Sequence, residues 1–236
     1  MIGIIGAMDR EVDGLIAKLA QREEKTKASL VFHCGKIKEE SVVIVKCGVG
    51  KVNAAFCAQI LIDEFAVSCI INTGAAGSIS REVGIGDVVV ATEAVQHDMN
   101  AVDFGFPRGQ VPFADVFAFP TDEDLRKKAK ECYEKINPGG RVFFGRVVTG
   151  DEFVSSSARK DAIVSEFGGL CTEMEGAAIA QVAYYNRVPF LLLRAISDRA
   201  DDGAGMDFEE FSRMASERNI RLIMKMLEER YLNNEV

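Results

Sequence analysis

The 236-residue sequence has little of what nucleic-acid-binding proteins require. It has no tryptophan and two histidines, and its 36 acidic residues outnumber 28 basic ones, which gives a formal net charge of -8. The basic residues alternate with acids, as in Arg126 to Lys135, a pattern typical of a solvated helix face and not of a phosphate-binding stripe. We therefore expect no nucleic-acid partner, which leaves a small molecule or another protein.

The six cysteines form no CxxC pair and no cluster with His33 or His97 at the spacing of metal ligands. The sequence therefore predicts no metal site. Cysteines within apolar runs are typical of buried side chains in a reducing compartment. The first twelve residues lack the features of a signal peptide, and no run approaches the ~18 apolar residues of a membrane span. These features predict a cytoplasmic protein without a membrane partner.

Short strand-like runs alternate with helical patterns along the chain. Strands are predicted at MIGIIG, SLVFHCG, SVVIVKCG, VSCIINTG, GDVVVATEAV, RVFFGRVVTG, LCTEM and VPFLLLRAIS. Helices are predicted at REVDGLIAKLA, KVNAAFCAQILIDEF, TDEDLRKKAKECYEKI, SSSARKDAIVSEFGG, EGAAIAQVAYYN and DFEEFSRMASERNIRLIMKMLEERYL. Residues 96–119 lack periodicity and predict a long functional loop. The pattern predicts one α/β domain over residues 1–236, with helices on both faces of a sheet that hairpins make mixed.

Polar residues that follow apolar strands are the candidate functional residues, because ligands of open α/β sheets bind beyond the carboxyl ends of the strands. Glu11 lies in the first turn of the helix after MIGIIG, where a favourable interaction with the helix dipole is the simpler explanation. The small residues of INTGAAGSIS would let a ligand approach the backbone after a buried strand. Neither this stretch nor CGVGKVN has Walker A spacing, and GVGKVN lacks the third glycine of a dinucleotide fingerprint.

Two acidic residues, Glu173 and Glu175, flank Met174 where a strand passes into a helix. An extended backbone would place both on one face, and a helical one would not. A single glutamate at a helix start has a structural explanation, but two around a methionine, which suits a ligand wall, indicate a site. Arg194 interrupts the most apolar strand, where its charge is costly unless an acid such as Glu173 pairs with it. Asp198 stands at the tip of that strand, where function is favoured over a helix cap.

In this order the stretches resemble the 5'-methylthioadenosine/S-adenosylhomocysteine nucleosidases of the nucleoside-phosphorylase superfamily. The matching pieces are IGIIGAMDREV, GVGKVNAA, INTGAAGS, GDVVV, QHDMNAVDFGFPRGQVP, GDEFVSS, TEMEGAAIA, RAISDRAD and FEEF, which together extend over nearly the whole chain. The resemblance implies a nucleoside-phosphorylase-like three-layer αβα sandwich. It also implies a hydrolase that cleaves the N-glycosidic bond of methylthioadenosine, adenosylhomocysteine and 5'-deoxyadenosine without a cofactor.

The resemblance assigns the chemistry to two carboxylates, Glu11 as the base that activates water and Asp198 as the acid that protonates adenine. Met174 would pack on the ribose and Glu175 would bind its hydroxyls. The resemblance also implies a set of wall and backbone positions. These are Phe153 stacked on adenine, the Val154 backbone at the base edge, Gly77 near the substrate, Val49 and Phe208 around the 5' end, and Ala7, Met8 and Ser197 in the substrate site.

Two features of the resemblance concern single positions. Some members of the family have a serine where this chain has Ala75, so a hydroxyl that could support Asp198 is missing. Pro112 lies in the loop that members donate across a dimer interface. FGFPRGQVPF carries three phenylalanines and two prolines and is too apolar to be left in water, which also favours a homodimer.

The assigned roles agree with elementary chemistry. Cleavage of an N-glycosidic bond builds positive charge on the ribose while negative charge flows into adenine, so one acid must protonate the base and one base must deprotonate water. This is the logic of inverting glycoside hydrolysis, applied to a bond from sugar to nitrogen. A carboxylate at the ribose hydroxyls can also stabilise the positive charge.

Three alternatives remain. A purine nucleoside phosphorylase would need a phosphate site with arginines, for which Arg194 is the one candidate, and Glu11 would repel the phosphate. A futalosine-type nucleosidase would use the same chemistry on another substrate. A non-catalytic adenosine-binding or regulatory protein could keep Phe153, Met174 and Glu175, but would not need both Glu11 and Asp198.

Overall fold

The structure, a computed structural model, describes residues 1–229. Ten strands are present: β1 (Ile2–Gly6), β2 (Ala20–Lys27), β3 (Leu30–Ile37), β4 (Glu40–Lys46), β5 (Cys69–Ser78), β6 (Val88–Gln96), β7 (Phe119–Pro120), β8 (Val142–Thr149), β9 (Cys171–Glu173) and β10 (Phe190–Asp198). Six α-helices accompany them: α1 (Asp9–Ile16), α2 (Lys51–Phe65), α3 (Glu123–Ile136), α4 (Ser157–Phe167), α5 (Gly176–Asn186) and α6 (Ala204–Glu228). No helix in this part of the chain has both the length and the apolar character needed to cross a bilayer.

The ten strands form one mixed sheet with helices on both faces. Buried residues of α2 and α5 pack on one face, and buried residues of α1, α3 and α6 pack on the other. Parallel pairs such as β1–β4 occur together with antiparallel pairs such as β3–β4. The predicted mixed sheet and the three-layer αβα sandwich are therefore confirmed.

Part of the sheet closes on itself, a feature that the sequence pattern does not predict. Strand β5 pairs with β10, β10 with β6, β6 with β8, β8 with β9, and β9 pairs back with β5. The closure is possible because two strands share one edge of β5. Strand β1 pairs with Cys69–Asn72, and the short strand β9 pairs with Gly77 and Ser78.

Between these two pairings, residues 73–76 of β5 have no strand partner on that edge. A strand edge without a partner leaves backbone N–H groups available to side chains or ligands. The carboxyl end of β1 lies here, at Gly6, and β10 follows the opposite edge of β5 as far as Asp198. The gap between β1 and β9 is where the candidate functional residues converge.

Four expectations about the elements are corrected. INTGAAGSIS is not a loop after a strand, because β5 continues through Ser78. Helix α1 ends at Ile16, four residues before the predicted end at Ala20. Residues 20–27 form the unpredicted strand β2, which is exposed at every position and has no apolar alternation that would reveal it. It forms through backbone pairing with β3 at the edge of the sheet, and its charges protect that edge from further pairing.

The fourth correction concerns the last helix, which begins at Ala204 and not at Asp207. Its predicted end at Leu232 lies outside the described residues. Residues 96–119 are mostly irregular, as predicted, apart from the end of β6, a 3-10 turn at Val102–Phe104 and the start of β7. Strand β7 pairs with β6 and returns the loop to the sheet.

Candidate active site

One cavity of about 240 Å³ opens at the gap between β1 and β9. Its wall is mainly apolar, with a few carboxylates and hydroxyls, as expected for a small-molecule site. The lining residues are Ala7, Met8, Glu11, Val49, Ala75, Ala76, Gly77, Phe153, Thr172, Glu173, Met174, Glu175, Ser197, Asp198 and Phe208. No arginine, lysine or histidine among the described residues lines it.

Glu11 is almost fully buried and is held by backbone N–H groups from two elements. Its Oε2 accepts from Ala7 N at 2.7 Å and Met8 N at 3.0 Å, and its Oε1 accepts from Ala75 N at 3.1 Å on the free edge of β5. Burial raises the pKa of Glu11 above its usual value, while the positive charge of Arg194 and these N–H groups act in the opposite direction. Glu11 thus completes the start of α1 and also lines the cavity, so its structural role does not exclude a functional one.

Asp198 lies at the end of β10, on the other side of β5. Its Oδ1 accepts from Ala200 N at 2.9 Å, and its Oδ2 accepts from Ser197 Oγ at 2.9 Å. Burial raises the pKa of Asp198, and the charges of Asp207 and Asp201 act in the same direction. The hydroxyl that supports this acid therefore comes from the neighbouring Ser197. At position 75 the backbone N–H donates to Glu11. Ala75 has no hydroxyl, but Asp198 still has a hydroxyl donor in Ser197.

Two glycines of β5 let the two carboxylates approach the backbone. A Cβ atom at Gly74 would lie 2.9 Å from Glu11 Oε1, and one at Gly77 would lie 2.5 Å from Asp198 Oδ1. Three residues separate Gly74 from Gly77, so at ~3.3 Å per residue the two sites of contact are roughly 10 Å apart along the strand. The small residues that suggested close approach of a ligand thus also make room for both acids.

Glu173 lines the cavity, but its carboxylate is bound mainly by groups of the protein itself. Its Oε2 accepts from the guanidinium of Arg194, from Glu175 N at 3.1 Å and from Gly176 N at 2.7 Å, while its Oε1 accepts from the hydroxyl of Thr149. These bonds neutralise the buried arginine and satisfy the first N–H groups of α5. The predicted pairing of Glu173 with Arg194 is confirmed.

The side chain of Glu175, the N-cap residue of α5, accepts no hydrogen bond from its own helix. Its Oε1 accepts from Gly50 N at 2.9 Å, in the loop before α2. Burial and the nearby charge of Glu173 raise the pKa of Glu175 to about 8. Glu173 and Glu175 therefore do not act as a pair on one face, and Glu175 keeps free lone pairs toward the cavity.

The aromatic wall is made by Phe153 and Phe208, whose ring centroids lie 5.8 Å apart in an edge-to-face arrangement. Phe153 is 46% exposed, so its ring is available to a ligand. Val154 is buried beside it and lines a small recess that adjoins the cavity through Gly77, Met174 and Asp198.

The structure brings together most of the residues predicted for the site. Eleven of the thirteen line the cavity itself, Val154 lines the adjoining recess, and Pro112 lines neither in the single chain. Gly50, Gly74 and Thr172 were not predicted. GVGKVN carries no phosphate motif, and Gly50 N within it binds Glu175 instead. Within residues 1–229, no group of three or more His, Cys, Asp or Glu side chains is arranged to hold a metal ion.

Comparisons with known proteins agree with this geometry. Residues 1–228 match the family described as the phosphorylase superfamily. The 5'-methylthioadenosine/S-adenosylhomocysteine nucleosidase of Staphylococcus carnosus (strain TM300) is 39% identical over 228 residues, which cover 96% of this chain and 99% of the relative. The nucleosidase of the same name from Neisseria meningitidis, solved with methylthio-immucillin-A, is 34% identical with a TM-score of 0.93, over 97% of this chain and 98% of that one.

A futalosine hydrolase of Helicobacter pylori strain 26695 has the same fold. It is 33% identical with a TM-score of 0.92, and the match covers 97% of both chains. The chain therefore belongs to the phosphorylase superfamily and, within it, to the family of 5'-methylthioadenosine/S-adenosylhomocysteine nucleosidases, which are N-glycosyl hydrolases.

Proposed function

We propose that the protein hydrolyses the N-glycosidic bond of 5'-methylthioadenosine and S-adenosylhomocysteine, and also of 5'-deoxyadenosine, to adenine and the 5-substituted ribose. The observation that carries the proposal is the position of Glu11 and Asp198 in one cavity without a lining cation. Their contacts at Gly74 and Gly77 lie three residues apart on β5, so the two acids reach the cavity from different positions along the strand. Inverting hydrolysis needs an acid and a base on opposite sides of the sugar, with a water molecule beside the base.

Asp198 is assigned as the general acid. As the bond between C1' and the purine nitrogen breaks, its electron pair moves into the purine, and Asp198 transfers its proton to a ring nitrogen. Its raised pKa supports this role, because a carboxylic acid that must donate a proton has to hold it near neutral pH. The adjoining recess with Val154 and the exposed face of Phe153 would hold the base.

Glu11 is assigned as the general base. It accepts a proton from a water molecule whose oxygen bonds to C1', so that the sugar leaves with a new hydroxyl. Three backbone N–H groups and the charge of Arg194 favour its ionised form, and burial brings its pKa toward the working pH. Proton exchange with solvent then restores both carboxyl groups.

Glu175 and Met174 are assigned to the ribose. Glu175 is fixed by Gly50 N and has lone pairs left for two hydroxyls. In its ionised form Glu175 would also stabilise the positive charge that develops on the sugar. The apolar side chains of Met8, Val49 and Phe208 would surround the 5' substituent.

A phosphorylase is disfavoured because arginines are the usual phosphate ligands of such a site, and no arginine or lysine among the described residues lines the cavity. Arg194 is fully buried, and its guanidinium donates to Glu173 and, at 2.7 Å, to Asn72 Oδ1. These bonds hold the guanidinium in the protein interior, away from a phosphate in the cavity. The test is adenine release from methylthioadenosine with and without inorganic phosphate, together with identification of the sugar product. We expect the same rate in both and a free 5-methylthioribose, and a sugar 1-phosphate formed only with phosphate would overturn the hydrolase.

The substrate range is tested in the same assay. Methylthioadenosine, adenosylhomocysteine, 5'-deoxyadenosine and futalosine are compared by kcat/KM. We expect the first two to be cleaved most efficiently, and preferential cleavage of futalosine would assign the protein to the other activity found on this fold. Binding of these nucleosides without adenine release would indicate a non-catalytic adenosine-binding protein.

We also propose a homodimer with the loop around Pro112 at the partner's site. Phe104 and Phe113 in this loop are 84% and 93% exposed, and Val102 is 51% exposed. Exposed apolar side chains close together in one loop support an interaction surface. Light scattering at assay concentration tests it, and a fully active monomer would contradict it. Six free cysteines support the further proposal that the enzyme works in the reducing cytoplasm.

A further inference from the structure

A second, more polar groove of about 580 Å³ adjoins the active-site cavity. The two share Ala7, Met8 and Val49, none of which lines the recess beside Asp198. Because Met8 and Val49 are assigned to the 5' substituent of the substrate, the groove lies where a longer substituent would continue.

Four charged side chains line this groove: Asp9, Arg10, Asp13 and Lys46. Lys46 Nζ lies 2.6 Å from Asp9 Oδ1, so these two neutralise each other. Arg10 forms no ion pair with any residue of the described chain, and Asp13 is exposed and also without a partner there. The groove thus offers one unpaired cation and one unpaired anion.

Arg10 is held in place beside the cavity wall. Its guanidinium carbon lies 5.4 Å from the ring centroid of Phe208, which itself lines the cavity, and its Nη1 donates to Ser212 Oγ one turn further along α6. A guanidinium has five N–H donors, so this arrangement leaves most of them for a ligand. A planar fork of donors suits a carboxylate, which it can bind through two parallel hydrogen bonds.

We propose that this groove is a subsite for the amino-acid tail of S-adenosylhomocysteine, with Arg10 binding the tail's carboxylate and Asp13 facing its ammonium group. The inference rests on the proposed function. Methylthioadenosine ends in a methyl group and does not reach these charges. Arg10 is therefore a specificity-determining residue between the two substrates, and the catalytic groups Glu11 and Asp198 serve both.

The test compares kcat/KM for three substrates: methylthioadenosine, adenosylhomocysteine, and an adenosylhomocysteine analogue that lacks the carboxylate. Arg10→Met keeps an unbranched stem to pack on Phe208 and removes the charge. Arg213→Met is the control, because Arg213 is a highly exposed arginine of α6 paired with Glu217 and absent from the groove.

In Arg10→Met we expect the preference for adenosylhomocysteine over methylthioadenosine to fall roughly fivefold to tenfold, between the effects of an exposed ion pair and of a buried charged hydrogen bond. The preference for the analogue should stay at the wild-type ratio, and Arg213→Met should keep both ratios. An unchanged ratio for adenosylhomocysteine, or an equal fall for the analogue, would overturn the assignment of Arg10.

A binding measurement separates this inference from the proposed function. Calorimetry in the Asp198→Asn background gives dissociation constants that do not depend on turnover, and Arg10→Met should weaken adenosylhomocysteine relative to methylthioadenosine by the same factor. A wild-type enzyme that releases no adenine would refute the hydrolase proposal. The ratio of the dissociation constants of adenosylhomocysteine and methylthioadenosine would still decide whether Arg10 binds the amino-acid tail.

Discussion

The two sides of the junction between β9 and α5 carry the same residue type at the same depth, yet they serve different purposes. Glu173 and Glu175 are 7% and 6% exposed. Glu173 accepts bonds from Arg194, from Thr149 and from two backbone N–H groups, so most of its acceptor capacity is used within the protein. Glu175 accepts one bond, from Gly50 N, and faces the cavity.

The difference shows that burial alone does not identify a functional carboxylate, and that the number of satisfied lone pairs does. On the interior side, a buried charge is stabilised by a full set of partners. On the cavity side, burial raises the pKa values of Glu11, Glu175 and Asp198, because it disfavours the charged form of a carboxyl group. Perturbed pKa values of this kind cluster at functional sites.

The largest expected effect is on the cavity side. Asp198→Asn keeps the hydrogen bonds to Ala200 N and Ser197 Oγ, because the amide oxygen can accept one and the amide nitrogen can donate the other. It cannot deliver a proton, so kcat should fall ~10²–10⁴-fold. Glu11→Gln should lower kcat by a similar factor, because a glutamine cannot accept the proton of the attacking water.

Thermal melting of the same purified variants is the control for these catalytic effects. Asp198→Asn should melt at or above the wild-type midpoint, because it removes a buried charge with a raised pKa. If Asp198→Asn melts early but the folded fraction turns over normally, Asp198 is a structural cap and the mechanism is wrong.

On the interior side, Glu173→Gln should lower stability by about 3–5 kcal/mol, because it leaves the buried Arg194 without its counter-charge. Denaturant unfolding measures this change. Glu24→Gln is a matched control, since it removes an exposed partner of Arg22 and should cost roughly 1 kcal/mol or less. Equal unfolding midpoints for Glu173→Gln and the wild type would mean that the buried pair does not stabilise the junction.

Glu175→Gln should separate activity from stability. We expect kcat/KM to fall, because a glutamine cannot ionise as positive charge develops on the ribose, and one carboxyl oxygen is replaced by an N–H donor. The folded-state pKa of about 8 lies above the ordinary value of 4.5, so the stabilising contribution of the protonated group is present at low pH and is lost as the pH rises through about 8. The variant should therefore melt above the wild type on the alkaline side, and this difference should shrink toward pH 5.

Thermal melting of Glu175→Gln and the wild type at several pH values tests whether the variant melts higher on the alkaline side. The carboxylate of Glu175 is not required for the fold, because the amide oxygen of the Glu175→Gln variant can still accept from Gly50 N. A thermal midpoint of Glu175→Gln below that of the wild type at alkaline pH would show that the native state favours the ionised carboxylate.

The smallest expected effect concerns the pH dependence of kcat/KM. Activity should fall on the alkaline side as Asp198 loses its proton. The hydroxyl of Ser197 donates to Asp198 and lowers its pKa, so Ser197→Ala should move the alkaline limb to higher pH by a fraction of a unit. Ser157→Ala removes a hydrogen bond to the exposed Asp202 and should leave the limb in place. A shift toward lower pH in Ser197→Ala would mean that another group controls this limb.

Much of the fold follows from local patterns. The apolar runs of β1, β5 and β10 and the amphipathic α3 are recognisable because a buried face imposes a period on the residues that form it. Strand β2 has no buried face, so its period carries no signal and only its pairing with β3 defines it. The closure of the sheet was likewise invisible, because it depends on two strands sharing one edge of β5.

By itself the sequence determined the chemistry available to this protein: acids at the ends of apolar strands, small residues along β5 and a glutamate on each side of Met174. Only the tertiary structure decided which groups each acid contacts. Glu173 is bound within the protein because Arg194 neutralises its charge and Thr149 donates a hydrogen bond to it, and both residues are distant in the sequence. Glu175 turns to the cavity because Gly50 from another loop holds it. These partners meet through packing, and hydrogen-bond capacity left unused in a buried cavity becomes a binding site.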